Sequence, residues 1–138
     1  MGEGIRKENW YHDNAAAELW ALRDGLTLCI NLCLSPVEIE LDAKEIVNFV
    51  ATDVIISGDL CPLVDDCREL LRQIPQTKIS HCYREANFCA DALAKLGTNL
   101  AQEDCILFDI PPFVLLPLLD FDQSGLYCNR HCNVTLVT

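Results

Sequence analysis

The 138-residue sequence predicts an α/β fold, and three observations carry that prediction. Apolar residues at helical spacing alternate along the chain with apolar residues at strand spacing. The order is helix, strand, helix, helix, strand, helix, which indicates parallel β/α pairing under helical cover. The stretch His81-Cys-Tyr-Arg-Glu-Ala-Asn-Phe-Cys-Ala-Asp-Ala-Leu-Ala-Lys95 begins as a strand and turns into a helix. Finally, 51% of the residues are hydrophobic, so composition does not mark the chain as disordered, and its length suits a single domain with one core.

The first 14 residues are short and polar, with Ile5, Trp10 and Tyr11 sufficient for a brief strand or hairpin at most. Asn14 is a candidate cap for the helix that follows. From Ala15 to about Leu34, Leu19, Leu22, Leu26, Cys29 and Cys33 recur at helical spacing and make one apolar stripe. Glu18 lies about 60° from the centre of that stripe, at the edge of the buried face. Its plain reading is a first-turn acid favoured by the helix dipole. Its functional reading is a metal ligand at the core boundary.

Ser35-Pro36 ends the helix, and Val37-Glu-Ile-Glu-Leu-Asp42 alternates as a strand with Val37, Ile39 and Leu41 on one face. Asp42-Ala-Lys-Glu45 reads as an N-cap with Glu at N3. Asp42 is also well placed for a ligand site, because carboxylates at strand C-terminal ends face the crevice of an α/β sheet. A short helix covers Ala43 to Ala51. A third runs from Leu60 or Pro62 to Gln73, with Pro62 in its first turn and Pro75 beyond its end.

Lys78 to Tyr83 is the second strand. Asn87 is the candidate cap of the last helix, whose apolar side is Ala86, Cys89, Leu93, Leu96 and Leu100. Asp91 falls on the opposite side, where the plain reading is a solvated acid paired with Lys95. For His81 the plain reading is a strand-end histidine bonded to backbone. From Cys105 the character changes: Ile110 to Leu119 is apolar but interrupted by Pro111, Pro112 and Pro117, which predicts an extended or loose tail rather than a helix. Phe121 to Gly125 reads as a turn. The domain organisation expected is a short segment 1–14, a domain 15–100 and a tail 101–138.

No apolar N-terminal run or long apolar segment is present in this sequence, so neither signal peptide nor membrane span is expected, and the expected location is cytoplasmic or nuclear. The nine cysteines are scattered and read as free thiols. Cys128-Asn-Arg-His-Cys132 has a metal-like look, but a structural zinc site needs four ligands and no second half is evident. The Asn133-Val-Thr135 sequon carries no meaning in a protein that is not secreted. A net charge of −11, with ten Lys plus Arg in no cluster, opposes strong nucleic-acid binding, which needs cations to neutralise phosphates.

The wording His81-x-x-Arg84-Glu85-x-Asn87-x-x-Ala90-Asp91-x-Leu93-Ala94 resembles the C-terminal motif of type 1 ribonuclease H domains, in which a His precedes, by ten positions, a metal-binding Asp that opens the last helix. It is most similar to the plant subgroup of retroelement-derived, reverse-transcriptase-associated proteins, and the resemblance runs from about Ala15 to Leu100. It implies a ribonuclease H-like three-layer fold with a mixed central sheet flanked by helices. It implies binding of RNA–DNA hybrids and two-metal hydrolysis of their RNA strand with Mg²⁺ or Mn²⁺. Glu18 in Ala17-Glu-Leu-Trp-Ala-Leu22 is similar to the second metal-binding acid, Asp42 to the third and Asp91 to the fourth. His81 is similar to the loop His that assists proton transfer or product release.

The sequence departs from the family at its beginning. The 17 residues ahead of Glu18 hold no Asp-Gly-Ser-type strand, which in the family supplies the first acid and a central strand. Asp13 is a poor substitute because it abuts the Glu18 helix. The departure implies a fold lacking the usual first strand or strands, an N-terminally truncated domain, and weak hydrolysis or none. The alternative is a non-catalytic pseudoenzyme or interaction module. A sheet edge exposed in this way would also invite self-association.

Overall fold

Helix α1 spans Glu3–Asn31, so the chain is helical well before Ala15 and the brief strand or hairpin expected around Ile5–Tyr11 is not formed. Asn14 is an exposed residue inside this helix rather than its cap. The physical reason is propagation: once a turn exists, each added residue gains one backbone hydrogen bond, and Ala15-Ala-Ala17 offers no resistance. The computed structural model describes residues 3–99 and 106–125, with 3–13 as backbone only. The Cys128–Cys132 motif, the Asn133 sequon, Leu100, Cys105 and the side chain of Asp13 lie outside the described residues. The chain forms two units, Met1–His81 and Cys82–Thr138.

In the first unit α1 is followed by β1 (Val37–Leu41), α2 (Lys44–Ala51), α3 (Cys61–Gln73) and β2 (Thr77–His81). The alternation of helix and strand is the α/β architecture that the periodicities predict. β1 and β2 are parallel, with Val37 opposite Thr77 and Leu41 opposite His81. Helices cover them, as a two-stranded sheet requires, since it is marginal by itself in water. Leu19, Leu22 and Leu26 of α1 are buried with Ile46 and Val50 of α2, Leu63, Val64 and Cys67 of α3, and Ile74. Val37, Ile39 and Leu41 pack against that cluster, as their alternation predicts. On the other face, Lys78 Nζ meets Glu38 Oε1 directly across the ladder at 2.6 Å.

Two helix ends show how the chain is terminated. At the end of α1, the Cys33 N–H donates to the Ile30 carbonyl (3.0 Å) and the Leu34 N–H to the Cys29 carbonyl (2.9 Å). This is a Schellman turn, and it places Cys33 at φ 54°, a left-handed conformation that costs a β-carbon-bearing residue energy. Cys33 therefore leaves the apolar stripe and is exposed. Cys33→Gly should raise thermal stability by about 0.5–1 kcal/mol, read as a higher Tm by calorimetry. At the start of α2 the cap position falls on Ala43, one residue past the expected Asp42. α3 begins as predicted, with Pro62 in the first turn, where a missing N–H costs nothing.

Buried thiols are part of the core. The Cys67 thiol is fully buried and donates to the Leu19 carbonyl across 3.5 Å. Burial pushes it up to about 11, with the Asp66 carboxylate adding and Arg23 opposing. The folded chain thus holds this proton more tightly than an unfolded thiol with its ordinary value of 9.0. Stability from this source is complete below pH 9 and is lost as pH rises towards 11. Thermal melts across that window should fall in Tm, and Cys67→Ala should remove part of the slope.

The second unit contains a 3₁₀ turn at Arg84–Ala86, α4 (Phe88–Thr98), a 3₁₀ turn at Phe113–Leu115 and α5 (Leu116–Gln123). Asn87 occupies the cap position of α4, but its side chain makes no capping hydrogen bond. α4 does not bury the stripe expected of it, since Leu93 is exposed. Phe88 instead packs edge-on against Phe121, with ring centroids 6.2 Å apart, and Cys89 donates to Asp122 Oδ2 at 3.5 Å. Both partners lie on α5, in the region read as a loose tail and a turn. Pro117 falls in the first turn of α5, where the helix has no use for its N–H, so that proline starts the helix it was expected to prevent.

Candidate functional site

Asp42 follows the last residue of β1, and His81 is the last residue of β2. Leu41 and His81 are register partners, so Asp42 and His81 mark the C-terminal ends of adjacent parallel strands whose backbones run about 4.8 Å apart; His81 shares the core-side face of Leu41, and Asp42, one residue on, leaves from the other face. Ligand sites of open α/β sheets form at this end. Both residues are half-buried. The neighbours of Asp42 in sequence, Leu41 and Ala43, pack against the core and fix its backbone.

Glu18 is half-buried, next to fully buried Leu19. Leu19 packs in the same core that Leu41 and Ala43 pack against, so Glu18 and Asp42 are both held at the boundary of one apolar cluster. α1 begins at Glu3, so Glu18 stands about four turns inside it, and the first-turn dipole argument does not apply. Asp91 belongs to the second unit. It is exposed in the first turn of α4, and Lys95 Nζ meets its Oδ2 at 2.8 Å. The i,i+4 surface pair is therefore formed, and is worth only about 0.3–0.5 kcal/mol.

The acids supply hard oxygen donors, the chemistry that Mg²⁺ or Mn²⁺ prefers. Among the described residues, no group of three or more His, Cys, Asp or Glu side chains is arranged to hold a metal ion. The structure thus places Asp42 and His81 at neighbouring strand ends and keeps Glu18 on the same core.

Two arrangements escaped the sequence reading. Arg68 is buried on the core side of α3 and donates to the Phe49 carbonyl (Nε 3.0 Å, Nη2 2.7 Å) and to the Val54 carbonyl (2.7 Å). A signal was available: Arg68 sits four residues after Val64, on the apolar side of its own helix. The second is the Cys89 thiol, raised to about 11 by burial and by the neighbouring Asp122 carboxylate. Nothing in the local pattern connected these two residues.

A family model described as reverse transcriptase-like matches residues 5–97. An Arabidopsis thaliana protein named "Putative ribonuclease H protein" is 36% identical over 109 residues, covering 79% of this chain. The chain spans 17% of that relative's length. No solved structure matches at a significant level. No helix of the described residues is long and apolar enough to cross a membrane. With its α/β architecture, its motif from His81 to Ala94 and a family match over residues 5–97, the chain belongs to the reverse transcriptase-like family and is a ribonuclease H-like domain of the plant, retroelement-derived kind.

Proposed function

We propose that this chain acts on nucleic acid as a ribonuclease H-like domain, binding RNA–DNA hybrids weakly and hydrolysing their RNA strand slowly. The observation that carries the reading is the family match over residues 5–97, supported by Asp42 and His81 lying at the C-terminal ends of adjacent parallel strands. Glu18, Asp42 and Asp91 are the proposed ligands of Mg²⁺ or Mn²⁺, and His81 the proposed proton carrier. When bound, such ions supply charge stabilisation at the phosphodiester. The residues themselves orient the strand and move a proton: water adds to phosphorus, one P–O bond breaks, and the departing oxygen is protonated. The ion pair between Asp91 and Lys95 is weak enough for a divalent cation to displace. The functional domain is proposed as residues 15–100, and the setting as cytoplasmic or nuclear.

A second reading, a non-catalytic interaction module, is favoured by the charge of −11. An end-labelled RNA–DNA hybrid incubated with the purified chain in Mn²⁺ decides between them. The expected result is slow cleavage of the RNA strand that Asp42→Asn abolishes. Mn²⁺ at about 100 times its Kd should also raise stability by about 2.7 kcal/mol in the parent and not in Asp42→Asn. A chain that melts cooperatively, does not cleave and gains no stability from Mn²⁺ is the non-catalytic module.

A further inference from the structure

Two features of the molecule are unused by the reading above. The first is the outer edge of β2. The Val37 N–H donates to the Gln76 carbonyl, and in a parallel ladder alternate residues point their backbone groups to opposite sides. Lys78 and Ser80 therefore face β1, while Thr77 and Ile79 point their N–H and C=O groups away from it. Among the described residues no strand pairs with that edge. Beside it lies a cavity of about 290 Å³, walled by Val50, Leu71 and Ile79 and rimmed by Thr77, Asp53, Arg68 and Arg72. An open edge next to an apolar pocket is the arrangement by which sheets take an added strand, the backbone giving affinity and the pocket selecting a side chain.

The second feature is the segment Ile106–Ile110. It is neither helix nor strand, and Leu107 (63%) and Ile110 (77%) are largely exposed. Asp109 and Ile110 form a bend, and Pro111 biases Ile110 away from the helical region. In a strand added to β2, residues two apart would share a face, so Leu107 and Asp109 would project together. That spacing matches the β2 edge: an apolar side chain for the pocket and a carboxylate for its rim. Arg72 at the rim is held by exposed ion pairs, to Asp53 at 3.7 Å and Glu69 at 3.1 Å, which are cheap to exchange.

We propose that residues 106–110 of a second copy of this chain add as a strand to the outer edge of β2, with Leu107 in the pocket and Asp109 on Arg72. The exchange is reciprocal in a two-fold dimer, so each copy gives one strand and receives one. Repulsion between two chains of charge −11 is long-ranged and is screened at physiological salt, whereas the strand contacts are not.

Sedimentation velocity of the full chain from roughly 1 to 100 µM tests the proposal. The expected result is a shift from monomer to dimer, with hydrogen exchange at the Thr77 and Ile79 amides slowing as concentration rises. Leu107→Asp, at an exposed site, should raise the dimer Kd at least about tenfold while leaving the melting curve of the monomer unchanged. Arg72→Asp and Asp109→Arg should each weaken the dimer about fivefold, and the two together should restore it. A monomer throughout the range overturns the proposal, as does a dimer indifferent to Leu107→Asp or a charge swap that restores nothing. None of these results depends on hybrid cleavage.

Discussion

Leu19→Ala should destabilise the first unit by about 3–4 kcal/mol, the largest stability loss expected from a single change in this chain. Leu19 is completely inaccessible and packs among Leu22, Leu26, Ile46, Val64 and Cys67. Truncation removes its transfer free energy and leaves a cavity that helices crossing on three sides cannot close. Urea unfolding followed by circular dichroism would read the loss as a lower midpoint with an unchanged slope. The consequence for function is local. Leu19 is the side chain that seats this part of α1, so the same change loosens Glu18 beside it. Any activity towards RNA–DNA hybrids should fall by more than the unfolded fraction explains. A loss under about 1 kcal/mol would mean that the core relaxes around the gap and that α1 is not held where the structure shows it.

Arg68→Ala should cost about 3 kcal/mol, or roughly 10 °C in Tm for a chain of this size. The guanidinium is 9% exposed and makes three hydrogen bonds to the carbonyls of Phe49 and Val54, with Asp65 Oδ1 at 3.4 Å from Nη1. Phe49 is in the last turn of α2, where carbonyls lack helical partners and the dipole favours a cation. Removing the side chain leaves those carbonyls desolvated without donors, and an unmet buried acceptor costs more than the net worth of the bond. Arg68→Lys should recover less than half, because one ammonium cannot reproduce the planar fork that reaches two carbonyls. Arg68→Met, which keeps volume and drops the charge, separates packing from hydrogen bonding. If it melts like the parent, the carbonyls are served by water and the argument for Arg68 fails.

The residues that mark the family were all legible in one dimension. The strand alternation of Val37, Ile39 and Leu41, the stripe Leu19-Leu22-Leu26 and the motif from His81 to Ala94 depend on neighbours close in sequence. So does Pro62 in the first turn of α3. Where the reading failed, the deciding contact came from elsewhere in the chain. Pro117 looked like a helix breaker because the sequence does not say that a helix begins at Leu116. Leu93 looked buried because helical spacing does not say which side of α4 meets α5, and Phe121 drew Phe88 inward instead. Asn14 looked like a cap because capping residues also occur exposed inside long helices.

The sequence by itself determined the α/β class, the family and the candidate acids Glu18, Asp42 and Asp91, because each rests on short-range periodicity or on a local motif. The tertiary structure alone decided that Asp42 and His81 end adjacent strands, that Arg68 closes the end of α2, and that, among the described residues, the unpaired edge of β2 lies next to a pocket. Each of these depends on the register of β1 against β2 or on the packing of α3 under both. Those are relations between residues tens of positions apart, and only burial of the common core brings them together.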